Sequence, residues 1–140
     1  MMPHRRNGPA AQRYAERRQR EDEAPKLCNQ VPTLTSLRLE IEERAGLGAT
    51  KYIRTFQIDH APALFLVPCG DPRCVDGGHD LTTDVLRALR AREASFEGVD
   101  ECPGSVGTNA SPCVRVVHFH GMAEYRKGPA PGLDDARAPT

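Results

Sequence analysis

The chain contains no tryptophan, and aromatic residues make up only 5% of its 140 positions. The usual large contributors of buried area are therefore few, and a core of about 90 residues would be modest enough to benefit from a staple. No apolar run is long enough to cross a bilayer: the longest, Ala61 to Pro68, falls far below the roughly 20 residues required. The first two dozen residues are interrupted by charge wherever an apolar signal region could begin, so an intracellular, cytoplasmic protein without a membrane segment is expected. Net charge is lacking as well, with 19 basic and 19 acidic side chains. Several catalytic patterns are missing: there is no H-x-E with P-C-x-x-C of zinc deaminases, no H-E-x-x-H and no P-loop.

What is present is uneven. Residues 1–34 carry seven basic and four acidic side chains and few large apolar ones, a composition that predicts a disordered basic arm. Residues 127–140 read as a flexible Pro/Gly/Ala tail. Between them, 35–126 reads as one mildly acidic domain, which argues against a nucleic-acid surface on the globule itself. Leu37, Leu39 and Ile41 alternate with Arg38, Glu40 and Glu42, the period of a half-buried strand. A Gly-containing loop and the run from Lys51 to Asp59 predict a hairpin partner, and Ala63 to Val67 a short buried strand. Leu81, Val85, Ala88 and Leu89 share one face of an amphipathic helix that Asp80 or Thr82 can cap. Ser95 to Val99 and Cys113 to Tyr125 read as two further strands. The expected fold is α+β, a small antiparallel sheet in the order βββαββ with one helix on one face.

Cysteine is the informative residue. In a reducing compartment, clustered thiols point to metal ligands rather than disulfides. Cys69 and Cys74 flank the turn-forming Gly-Asp-Pro-Arg, and Cys102 and Cys113 flank a ten-residue loop rich in Gly, Pro, Ser and Asn. Each pair sits at the mouth of a turn, so all four can converge on one ion. Zinc is the first choice for four thiolates, with iron the alternative. Four thiolates around a divalent ion leave a net charge of about −2, which calls for donors. Arg73, the start of the helix near Asp80 and the backbone at Gly77 and Gly78 are the candidates. Cys28 reads as a spare thiol in the arm. His79 could replace one cysteine, although four already complete a tetrahedral site.

His118 and His120, two apart on a strand, share a face and can bind a metal or move protons. Val114 and Val116 share that face, which favours ordinary sheet surface, and His60 reads as a loop residue. The closed site points away from catalysis. The sequence therefore favours a zinc-stapled, non-enzymatic adaptor or regulatory domain with a protein partner. Nucleic acid, gripped by the arginine-rich residues 1–26, is the alternative, and a small metal- or thiol-dependent enzyme comes last.

Overall fold

The computed structural model describes residues 9–107, 109 and 111–127. Helix α1 spans Pro9–Glu23, and a single turn, α2, spans Leu27–Gln30. The long strands β1 (Leu34–Ala45) and β2 (Gly48–Thr55) follow, then the two-residue strands β3 (Leu66–Val67) and β4 (His79–Asp80). Helix α3 (Thr82–Arg90) leads to β5 (Ser95–Glu101), the short pair β6 (Ser105–Val106) and β7 (Ser111–Pro112), and finally β8 (Val116–Tyr125). The main sheet is antiparallel in the order β2-β1-β8-β5. An antiparallel sheet with helices is the α+β architecture the periodicities suggest.

The β1–β2 turn is tighter than the loop expected from sequence. Ala45 pairs with Gly48, leaving Gly46 and Leu47 as the whole connection. Gly46 takes φ of 61°, the left-handed conformation that the first central position of a two-residue hairpin demands. Phe56 and Ile58, expected to continue β2, lie beyond its end and pack against the core from the following loop.

Alternation sorts the sheet into a dry and a wet face. Leu37, Leu39 and Ile41 of β1 and Val117, Phe119 and Ala123 of β8 are buried, and they cluster with Phe65, with Leu81, Val85 and Leu89 at α3, and with Phe96 of β5. The register between β5 and β8 rests on a reciprocal device. Phe96 stands opposite Gly121, and Gly98 opposite Phe119. A Cβ on either glycine would collide with the ring of its partner, so each ring lies across the glycine facing it. The same F-x-G pattern, read in opposite directions on two antiparallel strands, produces both contacts.

The expected arm-to-domain boundary at residue 35 falls inside the folded unit. Leu27, Val31 and Leu34 are core residues, and the Leu27 and Ala63 N–H groups donate to the Ala61 and Pro25 carbonyls at 2.8 and 2.7 Å. Three apolar side chains spaced through a polar stretch are enough to order it when a core lies within reach. Residues 9–23, expected to belong to a disordered arm in which a short helix is at most conceivable, form α1, which has no apolar stripe and, among its described side chains, no buried residue. The remainder of the arm, residues 1–8, and the tail from 128 onward lie outside the described residues. Among the described residues no helix is long and apolar enough to cross a membrane.

Candidate metal centre

The site is assembled from three places in the chain. Cys69 follows β3, Cys74 ends the turn after it, Cys102 follows β5, and Cys113 follows β7. Cys74 N–H donates to the Asp71 carbonyl at 3.0 Å, closing the first turn, and Cys113 N–H donates to the Gly104 carbonyl at 2.9 Å, closing the second. Val75 and Ser105 exchange two backbone hydrogen bonds of 2.8 and 3.1 Å that join the turns to each other. The four sulfur atoms come within 4.8 Å of one another, an arrangement that can hold a metal ion. Two sulfur contacts run across the turns, Cys69 to Cys113 at 3.7 Å and Cys74 to Cys102 at 3.6 Å.

Backbone amides converge on these sulfurs. Gly78 N–H donates to Cys102 Sγ at 3.3 Å and Asp71 N–H to Cys69 Sγ at 3.5 Å. Burial pushes the Cys69 thiol up to about 11 and raises Cys74 further, again chiefly through burial. Burial acts upward on Cys102 as well, but the Gly78 and Gly104 amides and the neighbouring thiols outweigh it and hold Cys102 below its ordinary value. Two glycines make the convergence possible. A Cβ on Gly77 would strike the Cys74 sulfur and sit 2.7 Å from that of Cys102; one on Gly104 would strike the Cys74 sulfur and lie 2.6 Å from the Val75 carbonyl.

One buried carboxylate ties this centre to the sheet. Glu43 occupies the inward parity of β1, after Leu37, Leu39 and Ile41, and is only 8% exposed. Its Oε2 accepts from Gly70 N–H at 2.8 Å and its Oε1 from the Arg115 guanidinium at 3.1 Å. Glu43 thereby links β1 to the first cysteine turn and to the approach to β8. Replacing Glu43 by Ala removes the acceptor of the Gly70 amide and of a half-buried guanidinium, and an expected loss of about 2 kcal/mol should appear in urea unfolding of the metal-loaded protein. Glu43→Gln keeps one of the two acceptor oxygens and should lose less.

The structure redistributes the other sequence candidates. Arg73, expected to face the sulfurs, turns its guanidinium to Asp71 at 3.1 and 3.2 Å. Asp71 also accepts the Arg73 N–H at 2.9 Å, and these contacts hold its carboxyl down to about 2. Arg73 therefore braces the turn and leaves the sulfurs to the amides. The start of α3 does not serve them either: Thr82 N–H is capped by the Asp80 carboxylate at 3.0 Å. The close backbone approach expected at Gly77 and Gly78 is present. His79 is buried, with Nδ1 on Asp100 at 2.8 Å and no partner for Nε2 among the described residues, and it stands outside the sulfur cluster. Cys28 lies away from the four, its sulfur 3.9 Å from the Asp59 carbonyl. His118 and His120 sit on the wet face of β8, outside the sulfur cluster.

Sequence reasoning missed Glu43 and Gly104. A signal existed for the first, since a charge at a buried parity of an alternating strand is an anomaly. It also missed α1. Arg13, Arg17 and Arg20, spaced for one helical face, line a cleft of about 660 Å³ whose other wall includes Cys69, Asp80 and Asp100. Arg13 donates to the Cys74 carbonyl, and Arg20 reaches Asp80 at 3.4 Å. No family model, no curated protein and no solved structure matches the chain.

Proposed function

We propose that this chain is a zinc-stapled, non-enzymatic adaptor or regulatory domain of the cytoplasm, with Cys69, Cys74, Cys102 and Cys113 as the ligands. The observation that carries this reading is the sulfur spacing. Four thiolates at a Zn–S distance of about 2.3 Å in a tetrahedron stand about 3.8 Å apart, close to the 3.6 and 3.7 Å of the Cys74–Cys102 and Cys69–Cys113 pairs. Amide donors to the sulfurs suit the excess negative charge of such a centre. Four protein ligands leave no coordination position for water or substrate, which supports a structural role for the ion.

The partner-binding element in this reading is the free edge of β2. Its residues are almost all exposed, Ile53 is 54% exposed, and Leu47 at the turn is fully exposed. An unpaired strand edge offers a row of amides and carbonyls to an extended peptide. The test is a photoreactive residue placed at Ile53, with another at Arg87 on the opposite side as control. One protein captured from Ile53 alone, and displaced by excess unlabelled domain, is the expected result; equal capture at both positions would overturn the β2 assignment.

A second reading, nucleic acid bound through α1, rests on the Arg13, Arg17 and Arg20 stripe. As folded, that stripe faces the domain and Asp80, so a polyanion would have to draw the helix away. Binding to RNA or DNA that weakens steeply with salt, and vanishes when residues 1–24 are deleted, would favour this reading over the first.

A further inference from the structure

The wet face of the sheet is a trough of about 690 Å³ with His118 and His120 on its floor. Side chains two apart on a strand stand on the same face roughly 7 Å apart at their Cα atoms, a spacing from which two imidazole arms can close on a single ion. Cross-strand pairing sets a carboxylate beside each ring: Glu40 is the register partner of His120, and Glu42 that of His118. Glu97 flanks His120 from β5, and Val99 flanks His118. Ile53 and Val99, each about half exposed, form the two rims.

The two carboxylates on β1 differ in availability. Arg44 holds Glu42 through two contacts of 2.9 and 3.1 Å to one oxygen. Glu40 has a single contact to Arg38 at 3.2 Å and already lies 3.8 Å from His120 Nδ1. The Ser95 hydroxyl stands 2.9 Å from His120 Nε2, a weak partner that an ion can displace.

We infer that His118, His120 and Glu40 form a second metal site for a divalent ion of the zinc, nickel and copper class, open to solvent and separate from the four cysteines. Two imidazoles and one carboxylate are the borderline donor set such ions favour, and three protein ligands leave a coordination position for water or for a group from outside. The ligand atoms are not yet converged, so binding exchanges the Arg38 and Ser95 contacts for the ion. The site is therefore weaker than a preassembled tetrathiolate. It is also independent of the zinc assignment, because no atom is shared.

The test titrates zinc into the full chain after one equivalent has been loaded, with calorimetry for stoichiometry and histidine ring resonances as the local reporter. A second, weaker equivalent is expected, shifting or broadening His118 and His120 while His60 and His79 stay in place. His118→Ala with His120→Ala should abolish it, and Glu40→Gln should weaken it at least about tenfold. All three positions lie on the wet face, and far-UV dichroism checks the fold of each variant. No second equivalent, or one that survives the double substitution or moves His60 equally, would overturn the site; an unchanged affinity in Glu40→Gln would remove Glu40 from it. Failure of the cysteine centre would show separately, as loss of the first, tight equivalent.

Discussion

Chelating the metal from the reduced, purified protein is expected to unfold the domain. Structural zinc sites of four ligands deliver about 10–16 kcal/mol of binding free energy at neutral pH, while a domain of this size is stable by only about 5–15 kcal/mol in total. The described core is small and poor in aromatic residues, with Phe65, Phe96 and Phe119 as its buried rings. Without the ion, Cys74 and Cys102 become buried thiols facing one another at 3.6 Å, and Gly77 and Gly104 pack against sulfurs that no longer share a partner. Cys102→Ser should reproduce the effect of chelation. The measurement is native mass spectrometry for one zinc per chain, with far-UV dichroism and a melting curve before and after chelator. Metal-free protein that melts at the same temperature would sink the zinc assignment.

The sign of the pH dependence follows from the same thiols. The ligands bind as thiolates, whereas without the ion the unfolded chain carries ordinary thiols at neutral pH and burial in the fold raises Cys69 and Cys74 above their ordinary value. Metal uptake therefore releases protons, and affinity should fall as pH is lowered.

Gly77→Ala is expected to weaken metal binding by about 10- to 100-fold, through overpacking of about 1–3 kcal/mol. The added methyl has no free space: it meets the sulfur of Cys74 and lies 2.7 Å from that of Cys102. Neither sulfur can retreat without spoiling the tetrahedron. Gly48→Ala is the matched control, because its Cβ would meet only the Ala45 carbonyl at an ordinary 3.8 Å. Competition against a chromophoric chelator reads both variants. Equal affinity for Gly77→Ala and the parent would mean that the sulfurs do not take up the positions described.

These two outcomes depend on parts of the site that differ in how visible they are in the sequence. The cysteines and their placement at turn mouths are legible because Gly-Asp-Pro-Arg and the Gly/Pro/Ser/Asn loop are local chemistry. Which sulfurs are neighbours is not, because that depends on the Val75–Ser105 bridge, a pairing across thirty residues. The alternation of β1 is legible down to Ile41, and one further step along the same parity would have found Glu43. Strands β3, β4, β6 and β7 have two residues each, too short to carry a period. Helix α1 was invisible as a docked element for a different reason: with no apolar stripe, it is held by Arg13 and Arg20 on a backbone carbonyl and a carboxylate, partners that only the fold brings near.

The nesting of these sulfur pairs has a consequence for the order of folding. Cys69 and Cys113 are 44 residues apart, and Cys74 and Cys102 are 28 apart, whereas the β1–β2 hairpin closes over two residues. Loop closure grows costlier with length, by about 0.6 kcal/mol per doubling, so the hairpin closes more cheaply than the cysteine turns, while the β1–β8 pairing, with Leu34 opposite Tyr125, spans farther still. An early hairpin, a β5–β8 pairing set by its reciprocal Phe and Gly contacts, and late capture of the ion form the sequence of events that this connectivity favours. In that order an ion bound at the four sulfurs would act as a latch that closes after the hairpins, and its supply would set when that step occurs.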